Sequence, residues 1–394
     1  MDPAIVYLTS IGVVLLFGIL CTIIASKMKI PNVLLLLVLG IGLSQISYKG
    51  GKIISFPPTF LTAISILALV MIIFDSCSRF KLKEFNDLSL KTLKMVGVNL
   101  VLNLIILSIF MYFIFGVKNL FIAAVFAAMM SGTAAETVLT MFQGKKNRVL
   151  EFLEIESILN TPLMVLIPFM IIDLMSSVGA QMAVTKFIDQ IGPFVQQIVT
   201  GIGAGILVGL IIFKFMRKHY SENLSPVAII TAAILTYVIA EQLGGNGVLA
   251  VTTLGLFFGN IYIKEKWKLH EFSGMLANSL EILVFVLVGL VIVIPHSYDF
   301  FVKSLILFGV FLCIRYLSIL IVARREDFTI KEKIFITLNA PKGIALATIA
   351  FTLSTLDITG ISIVLELTLA FLLYSILLST VTVRFSDFFL GKIK

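Results

Sequence analysis

The sequence predicts an all-α polytopic membrane protein of thirteen transmembrane helices, and three observations carry that prediction. First, 59% of the 394 residues are hydrophobic and only 13% are charged, where an ordinary soluble chain is about a quarter charged. Second, apolar runs of about 20 residues, the length that crosses the hydrocarbon as helix, recur from end to end, without the alternation of a membrane barrel. Third, the basic residues fall in every second connection between those runs.

In order, the predicted spans are residues 4–25, 31–48, 59–78, 92–116, 119–142, 152–175, 192–216, 226–242, 246–262, 272–294, 300–322, 332–355 and 359–383. No soluble domain or low-complexity tract separates them. The opening "MDPAIVYLTS" has no basic n-region, so span 1 reads as a membrane helix and not as a cleaved signal. Alternate connections carry "SKMK", "RFKLKEFNDLSLK", "QGKKNR", "KFMRKH", "KEKWKLH", "ARREDFTIKEK" and the tail "RFSDFFLGKIK". Together with Lys94, just past the second of these, they hold 23 of the 30 Lys and Arg. The opposite connections hold five: Lys49, Lys52, Lys118, Lys186 and Lys303. Positive charge stays in the cytoplasm, so the N-terminus is expected outside and the C-terminus inside. The same distribution accounts for the net charge of +8 without nucleic acid as a partner; the expected surroundings are the lipid bilayer. Cys21, Cys77 and Cys313 lie inside spans and form no disulfide framework.

Two spans are interrupted. Span 5 contains "MMSGTAAETVL", where Gly132, Thr133, Ala134 and Ala135 make a small, polar middle. Span 12 contains "LNAPKGIALAT", where Pro341 removes a helical N–H, Lys342 follows, and Gly343 tolerates unusual backbone angles. Spans 5 and 12 are seven apart and so cross in opposite directions. Paired broken helices of opposite direction mark an inverted-repeat transporter, with its site at mid-membrane; the plainer reading is a pair of kinks.

Ionisable groups inside spans cost about 2.5–3.5 kcal/mol at the centre on insertion scales and are usually functional. Here they are Asp75, Glu136, Glu156, Glu281, Arg315, Lys342 and Glu366. Glu156, Ser157, Asn160 and Thr161 share one face of span 6, a face expected to meet protein or water. Glu156 and Arg315 read either as a structural ion pair or as part of a transport site. Ser157 reads as an ion ligand or as a bond back to its own helix. Glu281 and Glu366 read as lone acids kept in the neutral form, and Asp75 as an entrance or interfacial charge. Glu136 sits just past the break in span 5, where freed carbonyls would share a cation with it. His219, His270 and His296 form no metal cluster. No His-Glu-x-x-His, Gly-x-Ser-x-Gly or facing pair of aspartates suggests an enzyme, and nothing calls for a cofactor.

The ordered set "SGTAAETVL", "LEIESILNTPLMVL", "GGNGVLAVTTLGLFFGN", "LVFVLVGLVI", "LCIRYLSILI" and "LNAPKGIALATIAF" resembles the monovalent cation:proton antiporters, and most closely their sodium/proton exchanger branch. The resemblance runs from span 2 to span 13. It implies inverted six-helix repeats, crossing broken helices 5 and 12, and a homodimer. It also implies a core part (helices 4–6 and 11–13) that moves as an elevator against an interface part (helices 1–3 and 8–10). Position by position, Glu156 matches a glutamate that pairs with an arginine matching Arg315. Ser157 matches a serine that helps line the ion site, Thr133 the threonine of the broken helix 5, and Asp75 an acid near the cytoplasmic entrance. Ala134, Ala135, Pro341, Lys342 and Gly343 match the broken-helix backbone. Two departures stand out. The branch carries Asn-Asp on helix 6, where this chain has Asn160-Thr161. It carries Thr-Asp-Pro on helix 5, where this chain reads Thr133-Ala134-Ala135. The usual exchanging carboxylate is therefore missing, and Glu136 is the candidate replacement.

The expectation is a secondary transporter exchanging Na⁺, or Li⁺ or K⁺, for H⁺ at one site made of Thr133, Glu136, Glu156, Ser157, Asn160 and Thr161, with Asp75 at the entrance. Its rival is a transport-defective or regulatory relative on the same scaffold.

Overall fold

The computed structural model describes residues 3–28, 32–48, 51–52, 54, 56–81, 87–134, 142, 147–178, 184–218, 221–291, 295, 297–323 and 327–391. The helices run α1 (Pro3–Met28), α2 (Asn32–Gln45), α3 (Pro58–Ser78), α4 (Asp87–Phe115), α5 (Leu120–Ser131), α6 (Arg148–Val178) and α7 (Val184–Lys218). They continue as α8 (Leu224–Gln242), α9 (Gly247–Asn260), α10 (Lys266–Val291) and α11 (Tyr298–Val322). The last are α12 (Ile330–Leu338), α13 (Ile344–Ser354), α14 (Ile361–Arg384) and α15 (Ser386–Leu390). Among the described residues nine helices are long and apolar enough to cross a membrane: α1, α3, α4, α6, α7, α8, α10, α11 and α14. Shorter apolar helices are α2, α5, α9 and α13.

Local chemistry sets the boundaries. Pro58 starts α3, where its missing N–H costs nothing. Asn119, Asn246 and Ser297 cap α5, α9 and α11 by accepting from Phe121, Leu249 and Phe300 amides. Thr329 and Glu332 form a reciprocal capping box on α12. Within α4, Asn103–Leu107 is π-helical. Two details depart from the predicted spans. Span 2 stops at Gln45, and Ser47–Tyr48 pairs antiparallel with Gly51–Lys52 as a short ribbon. The tail after span 13 adds α15.

The side-chain distribution is that of a bilayer protein. Ile206, Leu207, Leu210, Ile211 and Phe215 are exposed along α7, while Asn99, Asn160, Thr236, Arg315 and Lys342 are buried. Apolar groups face outward because lipid is their solvent, and polar groups turn inward to find partners. Packing falls into two groups. In one, α2 lies on α10 and α3 on α9, with α7 and α8 also against α9. In the other, α5 lies on α6, α4 on α6 and α11, and α13 on α14. Helix α13 joins them by packing on α3 and α10. Phe126, Phe308, Phe311 and Phe371 make an aromatic cluster under α5, α11 and α14.

The interruptions lie where span 5 and span 12 were expected to break. Helix α5 stops at Ser131, and Gly132 is extended (ψ 150°). Between α12 and α13, residues 339–343 are non-helical around Pro341. One expectation is corrected. Gly343 has φ −110°, extended backbone that any residue adopts, so unusual angles are not its purpose. Space is: a Cβ there would lie 2.2 Å from the Ala134 Cβ. Likewise a Cβ on Gly132 would lie 1.9 Å from the Met164 sulfur. The two breaks therefore approach each other closely, and α6 reaches the first through the Met164 side chain.

Candidate functional site

A helix that stops leaves its last carbonyls without intrahelical partners. At the end of α5 these belong to Met130, Ser131 and Gly132. The Lys342 Nζ donates to Met130 O at 2.6 Å and to Gly132 O at 2.5 Å. Asn99 of α4 donates to Ser131 O at 3.2 Å. An ammonium thus sits at the negative end of the α5 dipole. The other break is satisfied in return. The Ala134 N–H donates to Pro341 O at 2.8 Å, and the Lys342 N–H to Ser375 Oγ at 3.0 Å. Ser379 donates to Asn339 Oδ1 at 2.9 Å. Each break supplies what the other lacks; Gly132, Thr133, Pro341 and Lys342 are buried there, and Ala134 and Gly343 partly so.

Helix α6 runs beside this crossing. Glu156, Ser157, Asn160 and Thr161 are all buried on it. Asn160 Nδ2 donates to Thr133 Oγ1 at 2.7 Å, which joins the α6 face to the α5 break. Asn160 Oδ1 is buried with no hydrogen-bond partner among the described residues. A buried carbonyl oxygen without a donor is costly unless something positive comes to it. Thr161 spends its hydroxyl proton on Ser157 O at 2.6 Å, so its oxygen keeps its lone pairs. Thr133, Asn160 and Thr161 are thus a set of neutral oxygens, the donor type that suits an alkali cation.

Glu156 and Arg315 form the strongest contact in the region. Nη1 donates to Oε1 at 2.6 Å and Nη2 to Oε2 at 2.9 Å. Nε and Nη2 also reach Ile336 O on α12, at 3.3 and 3.2 Å. A bidentate pair of this kind is strong and directional. It ties α6, α11 and α12 together, and it occupies both oxygens of the carboxylate.

The other predicted residues distribute as follows. Asp75 bonds elsewhere, accepting from Arg79 at 3.0 and 3.2 Å and from Ser273 of α10 at 2.7 Å. His270 Nδ1 lies 3.3 Å from Ser78 Oγ in that second polar cluster. Glu281 and Glu366 are partly exposed on α10 and α14. Ala135 and Glu136 lie outside the described residues. The expectation that the freed α5 carbonyls would share a cation with Glu136 needs revision at two of them: Met130 O and Gly132 O hold the chain's own Lys342. Sequence reasoning marks Lys342 as an ionisable group inside a span and as part of the broken-helix backbone, without a partner, and it does not single out Asn99, which also accepts from Ser318 at 3.3 Å. A pair of asparagines four apart in an apolar run, Asn99 and Asn103, was the available signal. Among the described residues no cluster of His, Cys, Asp and Glu could hold a metal. A cavity of about 550 Å³ lies away from the crossing, between Lys91, Lys94 and Val98 of α4 and Ile321 and Val322 of α11.

Comparison with known proteins follows the same lines. The K(+)/H(+) antiporter NhaP of Alkalimonas amylolytica is 26% identical over 338 residues, covering 83% of this chain and 57% of that protein. The probable Na(+)/H(+) antiporter 2 of Methanocaldococcus jannaschii is 26% identical over 363 residues, covering 88% and 84%. The structure of the sodium proton antiporter MjNhaP1 from that archaeon at pH 8 superposes with TM-score 0.80 at 19% identity, over 100% of this chain and 99% of that one. The chain spans a little over half the length of the NhaP relative. The family description "sodium/hydrogen exchanger, transmembrane" matches residues 12–386. With its apolar helices and this near-complete match, the chain is a multi-pass integral membrane protein and belongs to the sodium/hydrogen exchanger family.

Proposed function

We propose that the chain is a secondary transporter that exchanges a monovalent cation, Na⁺ first among candidates, for H⁺. The observation that carries this is the meeting of two interrupted helices at Ala134 and Pro341 beside the buried oxygens of Thr133, Asn160 and Thr161. Irregular backbone is tolerated at membrane depth only where protein or a cavity satisfies it, and in transporters it forms the ion site. Coupling requires a carboxylate that holds either a proton or a cation. Burial favours its protonated form and a bound cation its ionised form. Glu156 is committed to Arg315, so Glu136 is the carrier in this reading, with Ser157, Thr133, Asn160 and Thr161 as ligands and Asp75 at the cytoplasmic entrance.

The long and the shorter apolar helices together support thirteen spans in inverted six-helix repeats, with the N-terminus outside. The two packing groups support an elevator in which α4–α6 and α11–α14 move against α1–α3 and α8–α10 of a homodimer. K⁺ is the second cation in this reading, because relatives of similar identity are K(+)/H(+) antiporters. The test is a proteoliposome with an imposed proton gradient and an internal pH dye. Addition of Na⁺, Li⁺ or K⁺ should collapse the gradient. No response to any of the three would reject exchange and favour the transport-defective reading, which the absence of an aspartate at Thr161 supports.

A further inference from the structure

We propose that Lys342 is a tethered competitor of the transported cation. Its ammonium occupies carbonyl oxygens at the α5 break that a free monovalent ion would otherwise use, and it thereby sets the affinity of the site. The inference rests on the exchange reading above.

Lys342 is 1% exposed. Its Nζ has two carbonyl oxygens at 2.5 and 2.6 Å and the face of Phe311 at 4.3 Å. This is how a pore or carrier holds an alkali ion, with carbonyl dipoles replacing its water. No carboxylate pairs with it among the described residues. The charged groups that act on it are Arg315 and Glu156, which already neutralise each other. Thr133 follows Gly132 directly, and Asn160, bonded to Thr133, holds the unpartnered Oδ1. The oxygens are neutral and the resident charge is +1. A second cation entering beside it meets repulsion that little solvent screens.

The plainer role is a staple that caps α5 and holds the breaks together. The Ala134–Pro341 backbone bond holds the breaks together, the Lys342 N–H bond to Ser375 Oγ ties the second break to α14, and neither needs the ammonium. The two roles also predict opposite signs. A staple that is cut should loosen the site and weaken ion binding; a competitor that is removed should strengthen it.

The experiment is a thermal-shift titration of the purified full chain with Na⁺, Li⁺ and K⁺ chlorides, with choline chloride as the ionic-strength control. Lys342→Met keeps length and removes charge. It should lower the half-saturating cation concentration tenfold or more, while Lys342→Arg stays near the parent. Lys342→Gln, which can still donate to a carbonyl, provides the neutral variant if the methionine variant does not fold. Unchanged or weaker binding in a folded neutral variant overturns the proposal, as does a neutral variant with no cation-dependent shift. Cation binding in Lys342→Met together with no flux in the parent would retain the competitor and reject exchange by the native chain.

Discussion

Arg315→Ala removes one half of a pair in which arginine and glutamate are 0% and 1% exposed. The loss has three parts. Glu156 is left as an uncompensated buried charge, at a cost of about 3–5 kcal/mol. Ile336 O loses both of its guanidinium donors, at about 1–3 kcal/mol for a buried acceptor left unsatisfied. The void adds to both. These parts overlap, so the pair alone sets a floor, roughly a hundredfold to several-thousandfold in the folded ratio. A control separates charge from packing. Replacing both residues by methionine leaves no buried charge, and such exchanges are often close to neutral. Melting of purified protein, followed by loss of the monodisperse size-exclusion peak, should fall steeply for Arg315→Ala and much less for the double methionine variant. Equal losses in both would refute the charge argument. A melting point for Arg315→Ala close to the parent would show that the pair contributes little to stability.

Glu136→Gln should abolish cation-driven proton flux in proteoliposomes, and adding Thr161→Asp should restore part of it; undiminished flux in Glu136→Gln would remove Glu136 as the carrier. Gly343→Ala should cost more than the usual 1–3 kcal/mol of overpacking, because its Cβ would meet Ala134 at 2.2 Å. Adding Ala134→Gly should recover most of that loss, since the next nearest atom is the Ala134 Cα at 3.7 Å, ordinary contact. In a background lacking Cys21, Cys77 and Cys313, an impermeant maleimide should label a cysteine at position 2 from outside and one at position 394 only after permeabilisation. Labelling of both from one side would refute the orientation read from the basic connections.

The helices were legible because apolar length and loop charge are properties of single segments. A run of about 20 apolar residues reads as a span whatever it packs against. The breaks were legible for a related reason: Pro341, Gly132 and Thr133 disfavour regular helix locally. Apart from the Glu156–Arg315 pair, the partners of the polar groups could not be read. Asp75 and Glu156 look alike as acids inside apolar runs. One is joined to Arg79 four residues on, and the other to Arg315, 159 residues away. Gly343 shows the same limit, because its need for space depends on Ala134, which only the fold brings near. Lys342 is the clearest case. Its neighbours in the chain mark a break, but the carbonyls it serves lie more than 200 residues earlier.

Those carbonyls bear on the missing aspartate. In the resembling exchangers, a carboxylate on helix 6 brings negative charge to the crossing. Here Thr161 brings none, and its proton is turned back onto Ser157 O. Lys342 brings a positive charge to the same crossing, while Glu156 and Arg315 cancel. Counted over the described residues with Lys342 protonated, the site with no ion bound carries +1, and entry of a monovalent cation would raise it to +2 with no counter-charge. Such a site excludes alkali ions, which is the transport-defective state. With an ionised Glu136 at the crossing, the empty site is neutral, and protonating that carboxylate makes it positive and releases the cation. Exchange and its loss thus differ by one carboxylate set against one ammonium, so the competitor proposed for Lys342 and the carrier proposed for Glu136 are two halves of one charge balance.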